Sequence, residues 1–259
     1  MNGSAGVLAL VLGEAAAGST ALLFAMPLWN EVRRGFFPLA GAVIAVAALA
    51  AWLAARAGAV PGDEAGRWSV RLSAALAGTT LLWVAASLAR RDVLARALGI
   101  AGVLASIALL AALSLTGRQS SPIAAFQLFA GAAFLGAVID GLLLGHWYLT
   151  DRRLSRRPIG RFTDVLLASV VLEVAAVSSA GFGPVQEAGE FNPLLTVGAL
   201  APWIALGMVG ATAVVAVLVR LALRGERASA VQAATGFFYL AVVTAFTAEV
   251  AVKVRFLPR

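Results

Sequence analysis

The chain has 259 residues, of which 61% are hydrophobic and only 13% charged, with a mean hydropathy of +0.92. A soluble domain carries about twice that charged fraction, so a water-soluble fold is excluded and an all-α, polytopic membrane bundle is expected. The net charge of +7 is nearly all arginine, Lys253 being the only lysine, and in a membrane protein such an excess reports topology rather than nucleic-acid binding.

Composition also limits the cofactors. There is no cysteine, which excludes thiolate iron–sulfur ligation, c-type haem and disulfides. His146 is the only histidine, so a bis-histidine haem within one chain and a multi-histidine copper or zinc site are excluded as well. The expectation is a chain with no metal and no covalently bound cofactor.

Residues 1–8 lack the basic segment that opens a secretory signal, so the first apolar run is expected to stay as a helix. Eight runs recur at 5–29, 37–58, 69–89, 93–116, 124–149, 162–183, 194–222 and 229–254, each near the roughly 20 residues a spanning helix needs. Arginine-rich breaks divide most of them, and Arg90-Arg91-Asp92 is too charged to let the third and fourth merge. Pro61-Gly62-Asp63-Glu64 and Gly183-Pro184 punctuate others, while Pro202-Trp203 suggests a bent entry to the seventh.

The loops after the odd-numbered runs hold 13 basic residues and the opposite side holds 7. The positive-inside rule puts the first set in the cytoplasm of a bacterial inner membrane, so both termini are expected outside. The acidic stretch from Gln186 to Asn192 suits an outer loop. Runs one and five are both Gly/Ala-rich and end in an aromatic followed by charge, as in Trp29 to Arg34 and Tyr148 to Arg153. That likeness suggests a weak parallel four-plus-four repeat, 1–120 and 121–259, although any helix ending inward carries such an aromatic and basic stop.

Charge inside hydrocarbon costs about 2.5–3.5 kcal/mol at the helix centre, so each such residue calls for a reason. Glu14 and Glu249 fall in the outer half, Glu173 and Asp140 near the middle, and His146 at the inner boundary beside Trp147 and Tyr148. In that order they would form a proton ladder, with His146 suited to proton uptake because histidine is the side-chain type whose unperturbed pKa lies near neutrality. Asp140 and His146, six residues apart, stand about 120° apart around the helix and can flank one cavity. A blander account makes Glu249 and Lys253 an i,i+4 pair near the interface, Asp140 a packing residue and His146 an anchor. Lys253 lies only six residues from the end of the chain, which places it close to the outer surface. Asp151, Asp164 and Arg71 are expected to be solvated.

The eight runs, the absence of haem ligands, the acid in the last run, and Tyr239 to Glu249 followed by Lys253 to Phe256 resemble one known family. These are the haem-free membrane anchors of dimethyl-sulfoxide-reductase-type and polysulfide-reductase-type complexes. Ala248 stands before Glu249 where that family often has glycine, and its histidines in the early helices are missing. The resemblance implies quinone binding and redox partner subunits, with a chain that is not catalytic alone. A quinone would find His146, Tyr148 and Asp140 at one end of the bundle and Glu249, Tyr239 and Glu14 at the other. Two further readings stand beside it: a proton-coupled transporter built on Glu14, Glu173 and Asp140, and a structural or lipid-contacting subunit.

Overall fold

A computed structural model describes residues 1–29, 31–117, 119–151, 153–179, 181, 200–225 and 229–257. Among these it shows eight helices long and apolar enough to cross a membrane, and no strand. They are α1 (Gly3–Ala25, continued by a 3₁₀ turn Met26–Trp29), α2 (Phe36–Ala57), α3 (Glu64–Leu88), α4 (Asp92–Ser114), α5 (Ser121–Thr150), α6 (Arg157–Ser179), α7 (Ala201–Leu223) and α8 (Ser229–Phe256). The acidic stretch 186–192 and the Gly183-Pro184 break lie outside the described residues.

Helices α3 and α6 each begin five residues earlier than their apolar runs. Apolarity marks only the stretch able to cross hydrocarbon, whereas backbone hydrogen bonding carries each helix on into charged sequence. There Trp68 and Trp29 sit under the guanidinium groups of Arg71 and Arg161. Helix α7 begins at Ala201 with Pro202 in its first turn, where a missing N–H costs nothing. The α3–α4 break is a tight stop: Arg90 takes a left-handed conformation (φ 55°) and the Arg91 N–H reaches back to the Ala86 carbonyl at 2.9 Å.

Asp63 caps α3, its carboxylate accepting from the Gly66 N–H at 3.0 Å and from the Met1 amino group at 2.6 Å. Partial burial works against its charge, but these hydrogen bonds outweigh it and hold the carboxyl below its ordinary range. The cap therefore stabilises at neutral pH, and its contribution is lost as pH falls below about 4. Asp63→Ala is expected to cost about 1 kcal/mol in thermal unfolding at pH 7, with the difference from the parent shrinking in acid.

Helices α1 and α5 are apolar on every side and form the centre of the bundle. Each packs on the other, and the rest follow one scheme. As α1 packs on α2 and α4, so α5 packs on α6 and α8; as α2 meets α3 and α3 meets α4, so α6 meets α7 and α7 meets α8. The cross-contacts match too: α4 touches α5 as α8 touches α1.

Individual residues obey the same two-fold relation about the α1–α5 contact. Trp29 stacks edge-on with Phe162 at 5.4 Å, and Trp147 does the same with Phe36 at 6.0 Å. Gly6 lies against Leu257, and Ala124 lies against Gly117. Gly18 and Gly136, at corresponding positions, meet at the crossing itself. Arg33 and Asp151, also corresponding, join across it at 3.1 Å. Asp151 is thus a buried partner, 7% exposed, rather than a solvated boundary residue, because the two-fold contact brings an arginine to it. Asp164 remains exposed and pairs with Arg220.

The start of α1 and the end of α8 share one face, where the Asn2 N–H also binds the Gly58 carbonyl at 3.1 Å. The other face carries the Arg33–Asp151, Arg34–Asp92, Arg161–Glu31 and Arg220–Asp164 pairs.

Candidate functional site

Toward the terminal face, four ionisable side chains meet in the interior. The Lys253 ammonium lies 2.7 Å from Glu14 Oε1 and 3.1 Å from Glu249 Oε2, and all three side chains are fully buried. Glu173 on α6 is 1% exposed and its carboxyl lies beside that of Glu249. The Phe256 ring closes over the ammonium at 5.7 Å. On α5 the space for these groups is made by Gly131, where a Cβ would stand 2.7 Å from Glu14 Oε1 and 2.9 Å from Glu249 Oε1.

Helix direction explains the meeting. Side chains tilt toward the N-terminus of their own helix. Lys253, near the end of α8, therefore points back into the bundle, while Glu14 on α1 points up toward the terminal face. The expectation that Lys253 sits at the outer surface fails for this reason: its Cα is near the end, but its ammonium is not. The i,i+4 pair with Glu249 does form, yet deep in the interior and with Glu14 as a third member. Both carboxylates and the ammonium touch at ion-pair distance without a well-directed hydrogen bond. Much of their hydrogen-bonding capacity is thus unmet by protein groups.

The set stands at a telling position in the two-fold scheme. Gly13, which corresponds to Gly131, faces Leu109 and Leu113 on α4. Counted from these glycines, Leu109 and Leu113 on α4 take the places that Glu249 and Lys253 take on α8, and Ala132 follows Gly131 as Glu14 follows Gly13. One half fills this place with leucine and alanine; the other fills it with an acid, an ammonium and a second acid.

Asp140 stays apart. Fully buried on α5, it faces Ser19 of α1, though without a hydrogen bond of good geometry. Nine residues separate it from Gly131, about 13 Å along the helix. Between them α1 and α5 touch backbone to backbone at Gly18, Ala132 and Gly136. The imagined ladder is therefore regrouped: Glu173 joins Glu14 and Glu249, while Asp140 lies beyond the crossing.

His146 and Asp140 face different helices. The His146 ring turns to α8, its Nε2 2.5 Å from the Tyr239 hydroxyl and its Nδ1 3.0 Å from the Leu142 carbonyl. A carbonyl only accepts, so in the neutral ring Nδ1 carries the hydrogen and Tyr239 donates to Nε2. Tyr148 donates instead to the Ser155 carbonyl and pins the α5–α6 turn. Of the two suggested quinone ends, Glu14 and Glu249 come together, Tyr239 leaves them for His146, and Tyr148 and Asp140 go separate ways.

The residue that sequence reasoning left out is Lys253. Its signal was present: one lysine among 20 basic residues, one turn after a glutamate in an apolar helix. Among the described residues no three acidic or histidine side chains are arranged as metal ligands. Comparison with protein-family models, with curated proteins and with solved structures gave no match to this chain.

Proposed function

We propose that this chain is a proton-carrying protein of a bacterial cytoplasmic membrane, with Glu14, Glu173, Glu249 and Lys253 as its proton-binding site. The observation that carries the reading is the pairing of this ionic set with Leu109, Leu113 and Ala132 in the other half. A buried ion pair is seldom needed for stability, and well-packed apolar residues often do as well or better. Since the bundle accepts leucine at the equivalent place, the charge serves something other than folding.

Charge balance indicates what that is. One ammonium neutralises one carboxylate, and an uncompensated charge in a dry interior costs several kcal/mol. Three carboxyls around one ammonium are therefore balanced only when the set holds protons. Gain or loss of a proton changes which acid is paired with Lys253, and this couples proton exchange to the α1–α8 contact. The positive-inside rule makes the face with the termini the outer one, so the set lies on the outer side of the α1–α5 crossing, with Asp140 on the cytoplasmic side.

The test is proton flux into proteoliposomes under an imposed membrane potential, read by a trapped pH dye. Glu14→Gln and Glu249→Gln are each expected to lower the flux at least tenfold. Undiminished flux in the Glu14→Gln, Glu173→Gln, Glu249→Gln triple variant would overturn the reading. In the anchors this chain resembles, the membrane subunit works beside iron–sulfur partners. Co-purification of such a protein in mild detergent is the result expected for that membership; isolation of an active chain alone assigns the site to a self-standing carrier.

A further inference from the structure

The arginines on the face opposite the termini are unevenly neutralised. Among the described residues the acids of that face, Glu31, Asp92, Asp151 and Asp164, are each taken by one arginine. Asp92 opens α4, yet its partner is Arg34 of the first turn, at 2.6 Å, and not one of its own neighbours. Arg90, Arg91 and Arg96 are exposed and join no ion pair among the described residues. The α3–α4 turn therefore carries three positive charges without a counter-charge from the protein.

Topology alone accounts for arginine in an inward loop, but two details go beyond it. Arg90 holds a left-handed backbone, φ 55°, at the stop of α3, where glycine would sit without steric cost. An arginine kept in a strained conformation points to a use for its side chain. Arg96 lies inside α4, about 6 Å along the axis from Asp92, on the stripe of Val93, Ile100, Leu104 and Ile107. All four of these are exposed, Val93 by 84%. The tilt of helical side chains carries the Arg96 guanidinium back toward the turn, with its stem on apolar surface. The fold itself does not ask for this charge. The count that sets Leu109 and Leu113 against Glu249 and Lys253 sets Arg96 against Gly236, where a Cβ would meet nothing within 4 Å.

We propose that the α3–α4 turn binds an anionic phospholipid of the inner leaflet. Its phosphate lies against Arg90, Arg91 and Arg96, and its acyl chains run along the exposed stripe of α4 and over Leu82 and Leu88 of α3, which are exposed as well. A guanidinium matches phosphate oxygens with two parallel N–H donors, which suits arginine to this task. Charge and apolarity together select the lipid: a soluble anion would use the arginines alone, and a zwitterionic lipid would leave their charge unbalanced. The site shares the membrane orientation with the proton-binding proposal but none of its four residues.

The probe is dioleoylphosphatidylglycerol against dioleoylphosphatidylcholine, added in equal amounts to the purified full chain in neutral detergent micelles. Lipid retained on the protein is read by native mass spectrometry. The parent is expected to keep phosphatidylglycerol in preference. Arg90→Gly and Arg96→Gln are each expected to lower that preference about fivefold, the usual share of one basic residue at an anionic lipid surface. Because Arg90→Gly relieves the strained turn, its thermal midpoint in phosphatidylcholine should be unchanged or higher, which separates lost binding from lost fold. Arg153→Gln with Arg157→Gln removes two charges elsewhere on the same face and should leave the preference intact. An equal fall in that double variant, or a preference unchanged in both Arg90→Gly and Arg96→Gln, would overturn the site. Displacement of the lipid by inorganic phosphate would overturn the lipid assignment in favour of a soluble anion. Glu249→Gln should lose proton flux and keep the lipid preference, so the two proposals fail separately.

Discussion

Replacing Lys253 by methionine is expected to destabilise the protein by about 3–5 kcal/mol, because it leaves buried acids without their counter-ion. In a thermal unfolding scan in detergent this is a fall on the order of 10 °C, and proton flux should vanish with it. Loss of both properties by itself would not separate function from folding. The decisive partner is a variant that copies the other half: Glu14→Ala, Glu249→Leu and Lys253→Leu, with Glu173→Gln to remove the last carboxyl. No ionisable group then remains in the set, and leucine and alanine already pack at the equivalent places. The thermal midpoint should return to within a few degrees of the parent while the flux stays absent. A quadruple variant that unfolds as readily as Lys253→Met would show that the ionic set holds the bundle together, and the functional reading would fail.

How far the sequence led depends on what each signal measures. Apolar runs place eight helices, because crossing hydrocarbon demands length and apolarity, and both are local properties. They miss the first turns of α3 and α6, because those turns carry Glu64, Arg67, Arg157 and Arg161, and charge that ends an apolar run does not end a helix. Glu14, Glu173 and Glu249 stand out as acids in apolar surroundings, and three helices bring them together. Lys253 does not stand out, since counting residues to the end of a helix ignores the direction in which a long side chain tilts. Sequence distance sets Asp140 beside His146, whereas the neighbouring helices draw them apart: Ser19 of α1 meets Asp140 and Tyr239 of α8 meets His146. The aromatic-and-charge endings of α1 and α5 suggest a repeat, and the helices of the two halves touch one another in a matching order. The contacts pair Trp29 with Trp147, one residue away from the match that the segment ends suggest.

Gly18→Ala is expected to be the most damaging small substitution in the chain. A Cβ at Gly18 would stand 1.7 Å from the Ala132 carbonyl oxygen and 2.6 Å from its carbon, and these are backbone atoms of the facing helix. Backbone cannot rotate away as a side chain can, so α1 and α5 must separate along the crossing. In a membrane no hydrophobic contrast draws them back, since close packing itself is the driving force. The expected loss is about 3 kcal/mol or more, the upper range for overpacking, measured as a lowered midpoint of thermal unfolding. Because Glu14 lies one turn away on the same helix, flux should fall as well. Two alanines serve as controls. At Gly13 the added Cβ meets only the flexible tips of Leu113 at 3.3 Å and Leu109 at 3.9 Å, and at Gly78 it meets nothing within 4 Å. Gly13→Ala should cost no more than about 1 kcal/mol, and Gly78→Ala should be neutral or slightly stabilising through helix propensity. Equal midpoints for all three would mean that the α1–α5 crossing is not the backbone contact on which the two halves turn.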